Sequence, residues 1–135
     1  MKKRLLCVLI ATLLCLITVT PATASVVITP LWLNINSISL SLSYGSNKAN
    51  VGCNINAKVD TASISADFVL QEQNGSSWST VYTWPTQTAT GRYLFFSDSV
   101  AATQGKTYRF KVTAKVTNTA GVSETVTDYI DKKYN

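Results

Sequence analysis

The chain contains no histidine among its 135 residues. Histidine is the most frequent general base and zinc ligand, and it is the central member of the Ser-His-Asp triad. Its absence excludes the commonest hydrolytic and zinc chemistries. The 7 acidic residues are scattered over outer strand positions and predicted loops. Because so small a domain offers no deep cleft for them, we expect no catalytic activity, no metal and no cofactor.

Cysteine is also scarce. Two of the 3 cysteines, Cys7 and Cys15, fall in an apolar N-terminal run, so Cys53 is the only one beyond it. A single cysteine cannot form an intrachain disulfide. Cys53 alternates with Val51 and Ile55, which predicts a buried, inert thiol and a monomer. The alternative is a disulfide between the Cys53 residues of two chains, which would give a dimer.

The N-terminus predicts export. The chain begins with the basic sequence MKKR, continues with an apolar run over residues 5–19, and then has small residues up to Ser25. This order is typical of a secretory signal peptide, here residues 1–24. The run is shorter than the roughly 20 residues of a spanning helix, although an uncleaved anchor is the alternative. We therefore expect a secreted protein, extracellular or associated with the cell surface, with no membrane insertion after cleavage.

The basic character of the chain comes largely from this segment. Its removal takes three of the 12 basic residues and lowers the formal net charge from +5 to +2. The remaining lysines and arginines are scattered rather than clustered, so the sequence does not indicate a nucleic-acid partner.

Apolar residues alternate with polar ones over most of the chain, and no helical period is sustained after residue 25. The alternation predicts seven strands, over residues 38–44, 50–59, 64–72, 78–84, 92–96, 107–117 and 122–130. Asn74-Gly75 and the sequence NTAG at 118–121 indicate tight turns. Short strands with regular turns favour one antiparallel sandwich over residues 37–132, preceded by a leader or linker over residues 25–36.

Two segments carry a family resemblance. GKTYRFKVTAKVTNTAG, residues 105–121, resembles the sixth strand and following hairpin of a fibronectin type III or immunoglobulin-like domain. In such domains a tyrosine, here Tyr108, bonds back to nearby backbone, and immunoglobulin domains carry a cysteine two residues later, where this chain has Phe110. Cys53 occupies the place of the second-strand cysteine. The resemblance implies a structural role for all three residues, without a disulfide, as in the fibronectin type III branch.

DFVLQEQNGSSWSTV, residues 67–81, resembles the third and fourth strands of that branch, where an aliphatic strand leads into a glycine-containing turn and Trp-x-x-Val. The resemblance covers roughly residues 36–130. It implies an all-β, seven-stranded antiparallel immunoglobulin-like, fibronectin III-like sandwich, and it implies no particular function. The whole precursor is also similar to small secreted single-domain proteins of Gram-positive bacteria that are uncharacterised.

Trp78, Tyr82 and Trp84 alternate in the sequence SSWSTVYTWP. Because opposed residues of a hairpin point to the same face, the length of the loop at Asn74-Gly75 decides where they point. An even loop places all three on the outward face, whereas a three-residue loop or a bulge turns them toward the core. We expect the outward orientation, since the inner face of the third strand is already filled by apolar residues.

An outward aromatic strip has two interpretations. The aromatics stabilise the sheet through cross-strand contacts, or they form a binding platform. Arg92, Tyr93 and Phe95 add aromatic surface, although the fibronectin-like arrangement places their strand in the opposite sheet. We expect a secreted, non-catalytic binding module for a protein partner. The alternatives are a carbohydrate-binding module that uses Trp78, Tyr82 and Trp84 on a glycan, and a structural spacer.

Overall fold

The strands of this chain follow from strict alternation of buried and exposed side chains. The computed structural model describes residues 31–135, so the signal peptide predicted for residues 1–24 and residues 25–30 of the predicted leader lie outside the described residues. Within that range all regular structure is β-strand, in eight strands rather than the seven predicted. They are β1 (Ile35–Gly45), β2 (Lys48–Ala57), β3 (Thr61–Asn74), β4 (Ser77–Thr83), β5 (Gln87–Thr90), β6 (Tyr93–Ala101), β7 (Thr107–Asn118) and β8 (Ser123–Lys133).

The strands form two antiparallel sheets. The three-stranded sheet has the order β1-β2-β6. The five-stranded sheet has the order β4-β3-β7-β8, and β5 pairs with β3 beside β4. Each sheet turns its apolar face toward the other, as expected when one face of a pleated sheet is buried. The arrangement is sandwich-like, with the core between the sheets.

The extra strand is β5. β3 has 14 residues, and β4 pairs with its second half while the four residues of β5 pair with its first half. Pro85 separates the two short strands because proline has no backbone N–H for the ladder. The sequence of β5, QTAT, contains no large apolar residue, which explains why alternation alone did not predict it.

Three stacked phenylalanines hold the core together. The ring of Phe68 on β3 lies 4.2 Å from that of Phe96 on β6, in the opposite sheet, and 5.7 Å from that of Phe110 on β7. Such stacked pairs contribute about 0.5–1.5 kcal/mol each beyond the burial of their area. Cys53 packs in the same core as an unpaired, buried cysteine. Burial raises the pKa of its thiol to about 12.

Tyr108 occupies a corner of the five-stranded sheet. It is 3% exposed, and its hydroxyl oxygen accepts a hydrogen bond from the backbone N–H of Thr103 at 2.9 Å. This bond fixes the loop that enters β7. It is the backbone contact that the resemblance implies for this tyrosine.

The residues before β1 also pack on the domain. Glu124 on β8 accepts hydrogen bonds from the backbone N–H groups of Leu33 at 2.8 Å and Asn34 at 2.7 Å. Trp32 packs against the core cluster. β1 itself begins at Ile35, earlier than the alternation predicted. The two residues before it are joined through Glu124 to β8, the edge strand of the other sheet.

Candidate functional site

The hairpin of β3 and β4 decides the orientation of the predicted aromatic strip. Asn74 pairs with Ser77, so the loop contains only Gly75 and Ser76. Gly75 has a φ of +63°, a left-handed conformation that glycine adopts without steric cost. The loop length is even, and Trp78 consequently lies opposite Gln73 on the outward face.

A β-bulge then reverses the alternation within β4. Gln71 pairs with Thr80, but Leu70 pairs with Tyr82, so Val81 is an extra residue without a partner of its own. A bulge of one residue turns every following side chain to the other face. The prediction that Trp78, Tyr82 and Trp84 share one outward face is therefore wrong, since Trp84 points inward.

Trp84 joins the two sheets. It is 4% exposed, and its ring meets those of Phe96 and Phe110 edge-on at 5.6 and 5.8 Å. Its indole Nε1 donates a hydrogen bond to Oδ2 of Asp98, on β6, at 2.7 Å. The buried polar end of the tryptophan is thus satisfied by a carboxylate of the opposite sheet. These contacts give Trp84 a structural role and remove it from any ligand platform.

Tyr82 is partly packed on the core and partly open to solvent. Its ring contacts that of Trp84 edge-on at 4.9 Å, yet the residue stays 42% exposed. Val81, the bulge residue, is 46% exposed beside it. Tyr82 and Val81 therefore form a small exposed apolar patch near the end of β4.

Trp78 belongs to an ordered stack on the outward face of the five-stranded sheet. The guanidinium carbon of Arg109, on β7, lies 4.1 Å from the ring centre of Trp78 and 3.9 Å from that of Tyr129, on β8. Both distances are within the range of cation–π attraction. We call Trp78, Arg109 and Tyr129 the arginine-aromatic stack.

Asp131 fixes the centre of this stack. Its carboxylate oxygens accept hydrogen bonds from Nε of Arg109 at 2.7 Å and from Nη2 at 2.8 Å. Such a bidentate pair orients the guanidinium plane. The hydrogen bond to Asp131 also raises the pKa of Arg109, which remains charged. The site therefore presents two aromatic side chains and a cation in one fixed geometry.

Sequence reasoning missed Arg109, Tyr129 and Asp131 because they are distant from Trp78 along the chain. β7 and β8 pair so that Arg109 faces Asp131 and Lys111 faces Tyr129. The turn predicted at 118–121 does not supply this register, since counting outward from it pairs Thr117 with Val122, whereas Thr117 in fact pairs with Ser123. The one-residue difference is enough to exchange the outward partners of β7 for inward ones.

Two lysines on the same face have no acidic partner. Lys111 and Lys115 point outward from β7, and neither forms an ion pair within residues 31–135. Lys106 and Glu72 do form one, at 2.9 Å, near the end of the sheet. Asp67 of β3 lies on this face opposite Thr113, between the positions of the two lysines, so the centre of the outward face carries a net positive charge beside the stack.

The aromatics of β6 lie on the other sheet, as the resemblance implied. Tyr93 is 58% and Phe95 73% exposed, on the outward face of the three-stranded sheet. The guanidinium of Arg92 covers one side of the Tyr93 ring at 4.8 Å. These residues are too far across the sandwich to extend the arginine-aromatic stack, because the core separates the two faces.

In the part of the chain that the structure describes, no three histidine, cysteine or acidic side chains are grouped closely enough to hold a metal ion. Residues 31–135 also include no helix of the length and apolarity that crossing a membrane requires. The chain matches no family model and no curated protein sequence.

Proposed function

We propose that this chain is an extracellular, non-catalytic binding module with a fibronectin type III-like sandwich, which binds a protein through the outward face of its five-stranded sheet. The observation that carries the proposal is the arginine-aromatic stack. Tryptophan, tyrosine and arginine are the residues most enriched at the energetic centres of protein interfaces. In this chain one of each is held in contact before any partner arrives.

Three features support the fibronectin type III-like class. β6 pairs with β2 in the three-stranded sheet, and β4 pairs with β3 in the other sheet. The hydroxyl of Tyr108 accepts a hydrogen bond from backbone five residues earlier. Phe110 packs in the core where immunoglobulin domains have a disulfide cysteine, and Cys53 is unpaired.

Pre-organisation supports a role in binding rather than in folding alone. Ordering a flexible side chain at an interface costs about 0.5–1.5 kcal/mol, and the bidentate contact with Asp131 has already ordered Arg109 in the free protein. The rings of Trp78 and Tyr129 flank this cation and are held by it. A partner therefore meets a surface that does not need to rearrange.

The charges of the face indicate the chemistry of the partner. Lys111 and Lys115 lie beside the stack without acidic partners in the described chain. A complementary surface would carry carboxylates opposite these lysines and a flat apolar group over the stack. Complementary charge of this kind accelerates association and selects against basic partners.

Of the alternatives, a carbohydrate platform made of Trp78, Tyr82 and Trp84 is not favoured, because Trp84 lies in the core. A spacer role has no observation of its own in its favour.

A capture experiment tests the proposal. The purified full chain is cross-linked to extracellular and cell-surface proteins of the source cells, and cross-linked partners are identified by mass spectrometry. Trp78→Ala and Arg109→Ala should each weaken binding of the captured partner by at least about tenfold, measured by calorimetry. Tyr93→Ala, which removes an aromatic from the opposite face, is the matched control and should bind normally. Equal binding by all three variants would contradict the proposal.

A further inference from the structure

The outward face of the three-stranded sheet has an unusual composition. β1 presents serine at alternate positions from Ser37 to Ser43, and β2 presents asparagine at alternate positions over residues 50–56, except at Gly52. β6 presents Tyr93 and Phe95 and then two serines. We call this surface the serine-asparagine face. None of these outward positions carries an aspartate, glutamate, lysine or arginine.

A depression lies at the centre of this face. Ser41, Gly52 and Ser97 form one cross-strand row, and Gly52 has no side chain to fill the space between its neighbours. The depression has a volume of about 310 Å³ and is bordered by Phe95 and Asn54. Volumes of about 300 Å³ and above are typical of sites for small ligands.

The absence of a side chain at Gly52 leaves room for the hydroxyl of Ser41. A Cβ added at this position would lie 2.6 Å from the hydroxyl oxygen of Ser41. The hydroxyl of Ser41 therefore lies over the glycine, where it donates a long hydrogen bond to the carbonyl oxygen of Gly52 at 3.5 Å. A larger residue at position 52 would displace this hydroxyl and fill the space.

The groups around the depression have one chemistry in common. Serine hydroxyls and asparagine amides can each donate and accept hydrogen bonds, as can the hydroxyl groups of a sugar. Phe95 is 73% exposed and makes no aromatic contact within residues 31–135, so its ring is free to cover an apolar surface. Asp98 of β6 is next to Ser97 in the chain, but it pairs with the buried Val51 and its Oδ2 accepts a hydrogen bond from the indole of Trp84, away from this face. Lys48 and Arg92 lie at opposite ends of the face. An ionic ligand would find no counter-charge at the centre.

We propose that this depression binds a neutral carbohydrate. Phe95 covers the apolar side of one sugar ring, and Ser41, Asn54 and Ser97 exchange hydrogen bonds with its hydroxyl groups. The ligand class follows from polar groups that both donate and accept, from one exposed ring and from the absence of charge. The site lies on the opposite sheet from the arginine-aromatic stack and does not depend on the protein partner proposed above.

Nuclear magnetic resonance of the 15N-labelled full chain tests this site. The probes are neutral cello-, xylo-, manno- and chito-oligosaccharides, with an oligogalacturonate as the charged comparison, each added up to about 10 mM. At least one neutral oligosaccharide should shift the backbone signal of Gly52 and the side-chain amide signals of Asn54. The oligogalacturonate should shift neither.

Variants locate the binding. Phe95→Ala and Gly52→Val should each weaken the response to the active oligosaccharide by at least about tenfold, whereas Phe95→Trp should retain it and report binding by fluorescence. Gly52→Val introduces a β-branched residue into a strand, so the fold is expected to survive. Ser37→Val, on the same face but outside the depression, is the matched control and should bind normally.

Three outcomes would overturn the proposal. The first is no shift at Gly52 or Asn54 with any neutral oligosaccharide. The second is a response that Trp78→Ala removes and Phe95→Ala does not. The third is concentration-dependent self-association, measured by analytical ultracentrifugation, that Phe95→Ala abolishes, which would make the face an interface between two copies. Each outcome leaves the protein-binding proposal to be judged by its own variants.

Discussion

The outward face of the five-stranded sheet carries charges of both signs and holds its large aromatics in contact with an arginine. The outward face of the three-stranded sheet is neutral, and Phe95 lies there without an aromatic partner. The same period-two alternation built both surfaces, because only the inward positions are constrained by the core. The outward positions are free to vary, and in this chain they have diverged into two different chemistries.

This difference separates what stabilises the domain from what a ligand could use. On the five-stranded face, Trp78 and Tyr129 already contact Arg109, so part of their favourable interaction stabilises the folded domain itself. On the three-stranded face, the ring of Phe95 contributes little to folding while exposed. The first surface suits a large and pre-organised protein contact, and the second suits a small neutral ligand.

The largest expected effect distinguishes the buried Trp84, which directly follows β4, from the half-buried Trp78 within that strand. Trp84→Ala should lower the free energy of unfolding by about 3–5 kcal/mol, because it leaves a cavity between the sheets. It also leaves Asp98 without its indole partner. Trp78→Ala, within β4 and outside the core, should cost about 1 kcal/mol or less. Urea unfolding of both variants measures the difference, and equal losses would contradict the opposite orientations of the two side chains.

The contrast between these two tryptophans also marks how far sequence reasoning reaches. Alternation correctly predicts an all-β chain, and the loop after Asn74 has the even length that the outward orientation requires. The bulge at Val81, which shifts the register between Leu70 and Gln71, has no comparable signal in the sequence. This one extra residue turns Trp84 to the inward face, opposite to the predicted orientation.

Sequence patterns did not predict the two candidate surfaces, for a related reason. Arg109 and Trp78 come together only when β3 lies between β4 and β7, which is a property of sheet order. Likewise, Gly52 becomes a depression only when Ser41 and Ser97 flank it across two strand pairs. Composition gives the residues of a surface, but the register between distant strands decides which of them are neighbours.

The next expected effect concerns the floor of the serine-asparagine face. Cys53 follows Gly52 and points into the core, where burial, with a smaller contribution from the carboxylate of Asp128, raises the pKa of its thiol from 9.0 to about 12. A pKa that is higher in the folded state contributes stability below the pKa of the unfolded chain, and this contribution is lost as pH rises. Above pH 9 the unfolded thiol ionises first, so the free energy of unfolding should fall by up to about 1.4 kcal/mol per pH unit.

Urea unfolding between pH 7 and 10 measures this dependence, with Cys53→Ala as the control that removes the thiol and keeps the other titrating groups. The control should be less stable at pH 7 and should lose less stability above pH 9. A thiol reagent at pH 8 should modify Cys53 only after unfolding, as measured by mass spectrometry of the peptide that contains it. Rapid modification of Cys53 in the native protein would show that reagents reach it through the floor of the depression.

The smallest expected effect tests whether the arginine-aromatic stack is ordered in the free protein. Arg109→Met keeps an apolar stem but removes both cation–π contacts and the ion pair with Asp131, at an expected cost of about 1 kcal/mol. Lys115→Met, on the same strand and face without an ion pair, is the matched control and should change stability by less than about 0.5 kcal/mol. In a double-mutant cycle, Trp78→Ala and Arg109→Met should couple by about 0.5–1 kcal/mol. Independent effects would mean that the stack is not held before binding, and the five-stranded face would lose the pre-organisation that distinguishes it from the serine-asparagine face.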